Sequence, residues 1–198
     1  MNTKNNQRAK NTRGMIERVF IDLLKQKDLE KITVSEVCKA SHINRTTFYA
    51  HYLDVFDLME KIELAMSERM VQIFTSGQLR SISDGFEKLF AFVRDNADFY
   101  AAYLGKSGSV TILKVILPES LDASMIALCK EMGYKSEDEY HYQEQFFKAG
   151  LTGLIRMWLA NDCRETPGEL CEIIHRQYNQ SRSPFIWTEA DASSSFRT

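Results

Sequence analysis

This sequence predicts an all-α fold, with a small N-terminal three-helix unit followed by a larger helical bundle. Three observations carry that reading. Only nine Gly and three Pro interrupt 198 residues, so the strongest helix breakers are scarce. Apolar residues recur at three- and four-residue spacing through most of the chain. Good helix-capping residues stand just ahead of several of these periodic stretches.

Taken in order, residues 1–10 (MNTKNNQRAK) hold no apolar side chain besides Met1 and Ala9 and read as a flexible basic arm. From Thr12 to about Lys27, the residues Met15, Ile16, Val19, Phe20, Leu23 and Leu24 form one stripe on a helix. A second, short helix begins at Thr33, where Glu36 completes a capping-box pattern. There, hydroxyl and carboxylate can each satisfy an exposed backbone N–H. Asn44 caps a third short helix. Asp54 opens a fourth, through roughly Thr75, with Phe56, Met59, Ile62, Met66, Met70 and Ile73 at mostly helical spacing.

After a break at Ser76–Gly77, the expected helical segments are 84–95, 97–104, 109–116, 119–132, 138–160 and 167–178. Pro118 suits the first turn of a helix, and Thr166-Pro167 reads as a cap followed by proline at the first helical position. The last two segments are strongly apolar on one side: Phe146, Phe147, Leu151, Leu154, Ile155 and Trp158, then Leu170, Ile173 and Ile174. That is more than one short segment needs for its own core, so residues 138–160 and 167–178 are expected to join a symmetric dimer. Residues 179–198 are polar and Ser-rich apart from Phe185-Ile186-Trp187 and read as a disordered tail.

The formal net charge of −2 hides an asymmetry. Residues 1–52 hold ten Lys or Arg against five Asp or Glu, while residues 53–198 hold fifteen against twenty-two. A basic end on an acidic body suggests a polyanion-binding module, although a run of solvated surface charge has the same signature. No stretch approaches the ~18 apolar residues needed to cross a bilayer, and the polar N-terminus lacks a signal-peptide core. The four cysteines, Cys38, Cys129, Cys163 and Cys171, show no CxxC pairing. A reduced, cytoplasmic setting is the expectation.

The informative stretch is ITVSEVCKASHINRTTFYAHY, residues 32–52. Two short helices are joined around Ser41-His42-Ile43, with Val34, Val37 and Ile43 able to pack against the first helix and a small Cys38 between them. The second of the pair opens with Arg45, Thr46 and Thr47, followed by Tyr49, His51 and Tyr52. A helix fits the major groove of DNA and its first turn reaches base edges. Arg pairs bidentately with guanine, and Thr offers a hydroxyl and a methyl. Thr33, Tyr49 and His51 can fix register on phosphates without reading sequence. The alternative is a compact helical hairpin, but packing alone does not demand Arg, Thr, Tyr and His on an exposed face.

Here the sequence resembles the TetR family of transcriptional repressors. The family's recognition-helix ending appears as Thr47-Phe48-Tyr49-Ala50-His51-Tyr52, and its fourth-helix opening as Asp54-Val55-Phe56-Asp57-Leu58. Further on, Gly150-Leu151-Thr152-Gly153-Leu154-Ile155-Arg156-Met157-Trp158-Leu159 and a Pro-started last helix look like the family's ending. The resemblance implies a helix-turn-helix DNA-binding domain over residues 1–52, a regulatory and dimerisation domain over 53–178 and a tail over 179–198. It further implies a homodimer on a palindromic double-stranded operator, released by a small-molecule effector in the C-terminal domain. Control by a protein partner is the alternative. His42 replaces the family's usual turn glycine, and Val55 replaces a common lysine that contacts phosphate. That substitution leaves more of the phosphate binding to Lys4, Arg8, Lys10 and Arg13.

Other constellations are weaker. Phe90, Phe99, Tyr103 and Met125 are candidates for lining a ligand cavity, or for ordinary core. Cys171 and His175 share a helix face near Cys163, but too few ligands accompany them for a metal site, and core or interface cysteines explain them better. The acidic run Glu137, Asp138, Glu139, His141 and Glu144 suits a solvated helix start. No nucleophile–base pair or phosphate loop stands out, so neither an enzyme nor a cofactor is expected.

Overall fold

A computed structural model describes residues 3–75, 82–106 and 137–179. Among these residues the secondary structure is helical throughout. α1 covers Thr3–Gln26, a 3-10 turn covers Leu29–Lys31, and then come α2 (Val34–Ala40) and α3 (Arg45–Tyr49). The larger part is built from α4 (Val55–Thr75), α5 (Ile82–Asp95), α6 (Ala97–Lys106), α7 (Glu137–Ala160) and α8 (Pro167–Asn179). The segments expected at 109–116 and 119–132 lie outside the described residues, as do Met125 and residues 180–198 of the expected tail.

The caps act as their chemistry requires. Thr33 Oγ1 accepts the Glu36 N–H, and Glu36 Oε2 accepts the Thr33 N–H at 3.0 Å, a complete capping box. The same reciprocal pair recurs between Thr166 and Glu169 at the start of α8. Asp54 Oδ1 accepts the N–H groups of Phe56 and Asp57, both at 2.8 Å, and so opens α4. Each such cap satisfies backbone donors that the helix itself cannot, a contribution of about 1 kcal/mol.

On α1 the buried stripe is Ile16, Phe20 and Leu24, with Val19 and Leu23 half-buried beside it. The expected flexible arm is helical instead, from Thr3 onward. Once the buried stripe has nucleated the helix, adding polar turns at its N-terminus costs little. Gln7 Nε2 also donates to Asn11 Oδ1 at 2.9 Å across one turn. α1 then serves both halves of the molecule. It packs on α2, and also on α6, where Lys25 pairs with Asp98.

One core runs from α1 to α8. Val55, Leu58, Met59 and Ile62 anchor the first half of α4, and Met70 anchors the second. Leu89, Phe90, Phe92 and Val93 form the buried face of α5. α8 packs along α5, and α7 along α6. Trp158, expected at a dimer seam, lies 1% exposed within this core. Its indole N–H donates to the Glu165 carbonyl at 3.0 Å, so it staples the α7–α8 connection instead.

The α2–α3 turn contains a conformational demand that a side chain resists, as does the α7–α8 connection at Asp162 and Cys163. His42 sits at φ 53°, in the left-handed region, while Ser41 Oγ donates to the Val37 carbonyl at 2.6 Å and Ile43 N–H to the Cys38 carbonyl at 3.0 Å. His tolerates that region better than most residues, and β-branched side chains tolerate it worst. His42→Gly should therefore keep stability within about 1 kcal/mol of the parent, whereas His42→Val should lose about 1–2 kcal/mol or more. Urea unfolding midpoints of the two variants decide this; equal losses would mean that the turn carries no conformational constraint.

Candidate nucleic-acid interface

α3 is five residues long, and its geometry is set from outside itself. Asn44 Oδ1 accepts the Thr47 N–H at 2.7 Å and the Thr47 hydroxyl at 2.9 Å. Phe48 is fully buried, its ring 5.6 Å from that of Tyr52. Residues on a helix are separated by about 100°, so burying Phe48 turns Thr46 to the far side and Tyr49 to the flank, while Arg45 stands on the first turn, where the helix begins. All three are exposed, and Thr47 is half-buried behind them. Tyr49 leans edge-on against Phe48 at 5.7 Å and remains exposed.

His51 follows the helix and is half-buried, with its ring 6.2 Å from Tyr52. Its carbonyl accepts from Lys61 Nζ at 3.0 Å. Lys61 also pairs with Asp57 at 2.9 Å and lies 5.3 Å from the Tyr52 ring centroid. A cation at the end of a short helix complements its exposed carbonyls. Lys61 was missed in the sequence, where its only signal was the four-residue spacing from Asp57. Val55 is buried, so the position that commonly holds a phosphate-binding lysine is a packing position here.

Thr33 is exposed, but its hydroxyl is committed to the cap, donating to Glu36 Oε2 at 2.8 Å. Lys27, then Thr33, hold the Glu36 carboxyl at about 2, so it stays ionised. Tyr52 departs from the sequence expectation. It is 2% exposed, and its hydroxyl donates to Glu17 Oε1 at 3.0 Å. Burial, followed by the charge of Glu17, raises its pKa well above the usual phenol range. Tyr52 therefore joins α3 to α1 and does not stand on the outer face. Arg8, Lys10 and Arg13 are exposed on α1.

The candidate ligand residues separate. Phe99 and Tyr103 meet at 5.4 Å, while Phe90 lies against Trp158 at 5.8 Å, and all are buried. A cleft of about 400 Å³ opens elsewhere, between α5 and α8, lined by Ser83, Glu87, Gly168, Cys171, Glu172 and Arg176. Burial, and then the charge of Glu87, push the Cys171 thiol up to about 11, and burial also raises Cys163 and Cys38. Protonated thiols are poor nucleophiles and poor metal ligands. The side chain of His175 lies outside the described residues. Among the described residues no cluster of three His, Cys, Asp or Glu could hold a metal ion. No described helix is long and apolar enough to cross a membrane.

The family model described as the transcriptional regulator C-terminal region, of the TetR group, matches residues 80–180. The chain belongs to the TetR family. A curated relative, the uncharacterized HTH-type transcriptional regulator YxbF of Bacillus subtilis (strain 168), is 36% identical over 182 residues. That alignment covers 88% of this chain and 46% of the relative, so the chain spans about half the length of the curated relative it matches. A TetR transcriptional regulator from Streptococcus agalactiae 2603V shares the fold with TM-score 0.61 at 20% identity, over 87% of this chain and 96% of that one. The fatty acid degradation regulator FadR from Bacillus halodurans does so with TM-score 0.59 at 16% identity, over 84% and 93%.

Within this TetR-type unit, the two tyrosines that flank the end of α3 separate packing from contact. Tyr52→Phe should lower stability by about 1–2 kcal/mol, because it removes a hydrogen bond to a partly shielded carboxylate. Tyr49→Phe should leave stability within about 0.5 kcal/mol, since its hydroxyl is exposed. Thermal unfolding of both variants checks this assignment, and the reverse order would overturn it.

Proposed function

We propose that this chain is a DNA-binding transcriptional regulator that acts as a homodimer on a palindromic operator, in the sense of a repressor, and is released by a small molecule in its C-terminal domain. The observation that carries the DNA reading is the outward face of α3. Arg45, Thr46 and Tyr49 are exposed together there, on a helix whose rotation is fixed by buried Phe48. Arg45 on the first turn is placed to pair with a guanine edge. Thr46 adds a methyl and a hydroxyl beside it. His51 stands at the flank, on the side of the duplex backbone, whereas the Thr33 donors are already taken by its own cap.

A single helix of this kind binds weakly, and two-fold symmetry doubles its contacts. α7 offers a surface for that symmetry. Tyr142, Phe146 and Met157 are exposed along one side of it, with exposed Gly150 and Gly153 between them. A Cβ at either glycine would meet nothing within 4 Å, so a second helix can approach closely there. Ile173 of α8 adds to the exposed apolar surface. Buried Leu151, Ile155 and Trp158 supply the core of the single chain from the other face of α7.

Release by a ligand needs a state in which the two recognition helices no longer match successive major grooves, about 34–36 Å apart. α4 begins directly after the recognition unit and runs into the C-terminal core, so a small rotation of α4 changes that separation. The aromatic cluster around Phe99 and Tyr103 supports a small molecule as the signal.

Binding profiles across a randomised operator library test this reading. Arg45→Ala should cost about 1–3 kcal/mol on the best site and relax preference at one position, whereas His51→Ala should weaken all sequences alike. If both variants lose preference in the same way, α3 does not read DNA as proposed.

A further inference from the structure

Tyr100 is fully buried, yet its hydroxyl has no hydrogen-bond partner among the described residues. A buried donor without an acceptor is costly, and native structures answer such cases with a bound water, an ion or a ligand. The surroundings narrow the choice. The Tyr100 ring meets Phe92 at 6.3 Å and Phe99 at 5.2 Å, and Phe99 meets Tyr103 at 5.4 Å, so the site is an aromatic bed. Phe92 also carries a cation: the Arg69 guanidinium lies 4.9 Å from its ring centroid. Arg69 has no carboxylate partner among the described residues. It donates to Asn96 Oδ1 at 3.3 Å and approaches Met66 Sδ at 3.9 Å.

A buried donor and an exposed guanidinium without a carboxylate partner among the described residues both meet the Phe92 ring. A carboxylate satisfies both, since it accepts from the phenol and offsets the guanidinium charge. A phosphate asks for more donors than these two groups supply. Burial raises the pKa of the Tyr100 hydroxyl above its ordinary value, with Arg69 opposing, so the phenol stays a neutral donor at neutral pH. We propose that the junction of α4, α5 and α6 binds a small monocarboxylate with an apolar body, its carboxylate between the Tyr100 hydroxyl and Arg69 and its body against Phe99 and Tyr103. This rests on the ligand-responsive reading above and names the chemical class of that ligand. Arg69 belongs to α4, which leads from the recognition unit, and Tyr100 belongs to α6, which packs on α1. A carboxylate held by both therefore acts on the DNA-binding unit through two helices.

The test uses the full chain, a series of n-alkanoates from butanoate to decanoate, and the matching n-alkanols as uncharged controls. Calorimetric titration and thermal midpoints supply the readouts. At least one alkanoate should bind in the millimolar range or tighter and raise the midpoint by mass action. Its matched alcohol should bind about tenfold more weakly or worse. Tyr100→Phe should weaken the alkanoate about tenfold while leaving the free protein equally or more stable, because it removes an unsatisfied buried group. Arg69→Gln should weaken it similarly. Failure of every alkanoate at millimolar concentration would overturn the proposal. So would wild-type affinity in Tyr100→Phe, and a fall in that variant's free-protein midpoint with unchanged alkanoate affinity would identify a buried water instead. If a molecule of other chemistry releases operator DNA equally well from Tyr100→Phe, the carboxylate site fails while ligand-responsive regulation stands.

Discussion

A helix of five residues does not hold itself in water, because nucleation costs more than one or two backbone hydrogen bonds return. The position of α3 therefore depends on the burial of Phe48. That single ring sets which α3 side chains turn outward, and Tyr52 extends its hold to Glu17 on α1. Asn44 closes the other end by accepting from Thr47, and Lys61 caps the carbonyl of His51. α1, α4 and the α2–α3 turn are best understood as the frame for this short helix. Replacing Phe48 by a small side chain would remove about 3–5 kcal/mol of packing together with the orientation of the outward face.

The same frame reaches the rest of the chain by two routes. α4 continues from the recognition unit into the core, where Met70 is buried and Arg69 stacks over Phe92. α1 packs on α6, with Lys25 and Asp98 paired at the surface. An exposed ion pair of this kind contributes little stability, so the apolar packing of α1 on α6 is the stronger of the two links. A change at the α4–α6 junction thus has mechanical access to α3 from both sides.

Much of this architecture was legible because its signals are local. The capping box at Thr33 and the helix starts at Asn44, Asp54 and Thr166 involve residues two or three apart, and the structure uses each, adding Glu169 to complete a second box at Thr166. The exposed members of the candidate interface, Arg45, Thr46 and Tyr49, were legible as polar and aromatic groups on a helix start. Tyr52 was not, because a tyrosine near a helix end suits either solvent or core until Glu17, thirty-five residues earlier, is brought beside it. Trp158 was misplaced for a related reason: the apolar excess on α7 does not say which residues serve the core of the single chain. The arm was misread because a polar composition says little about a helix extended from an apolar stripe already anchored.

In the proposed function, two copies of this frame present α3 to one face of a duplex. Footprinting the purified protein on the DNA flanking its own gene tests this most directly. The expected result is protection of a site with two-fold sequence symmetry, its half-sites one helical turn or a whole multiple apart. Protection of a single unpaired half-site, or retention of all DNA alike with no protected sequence, would contradict it.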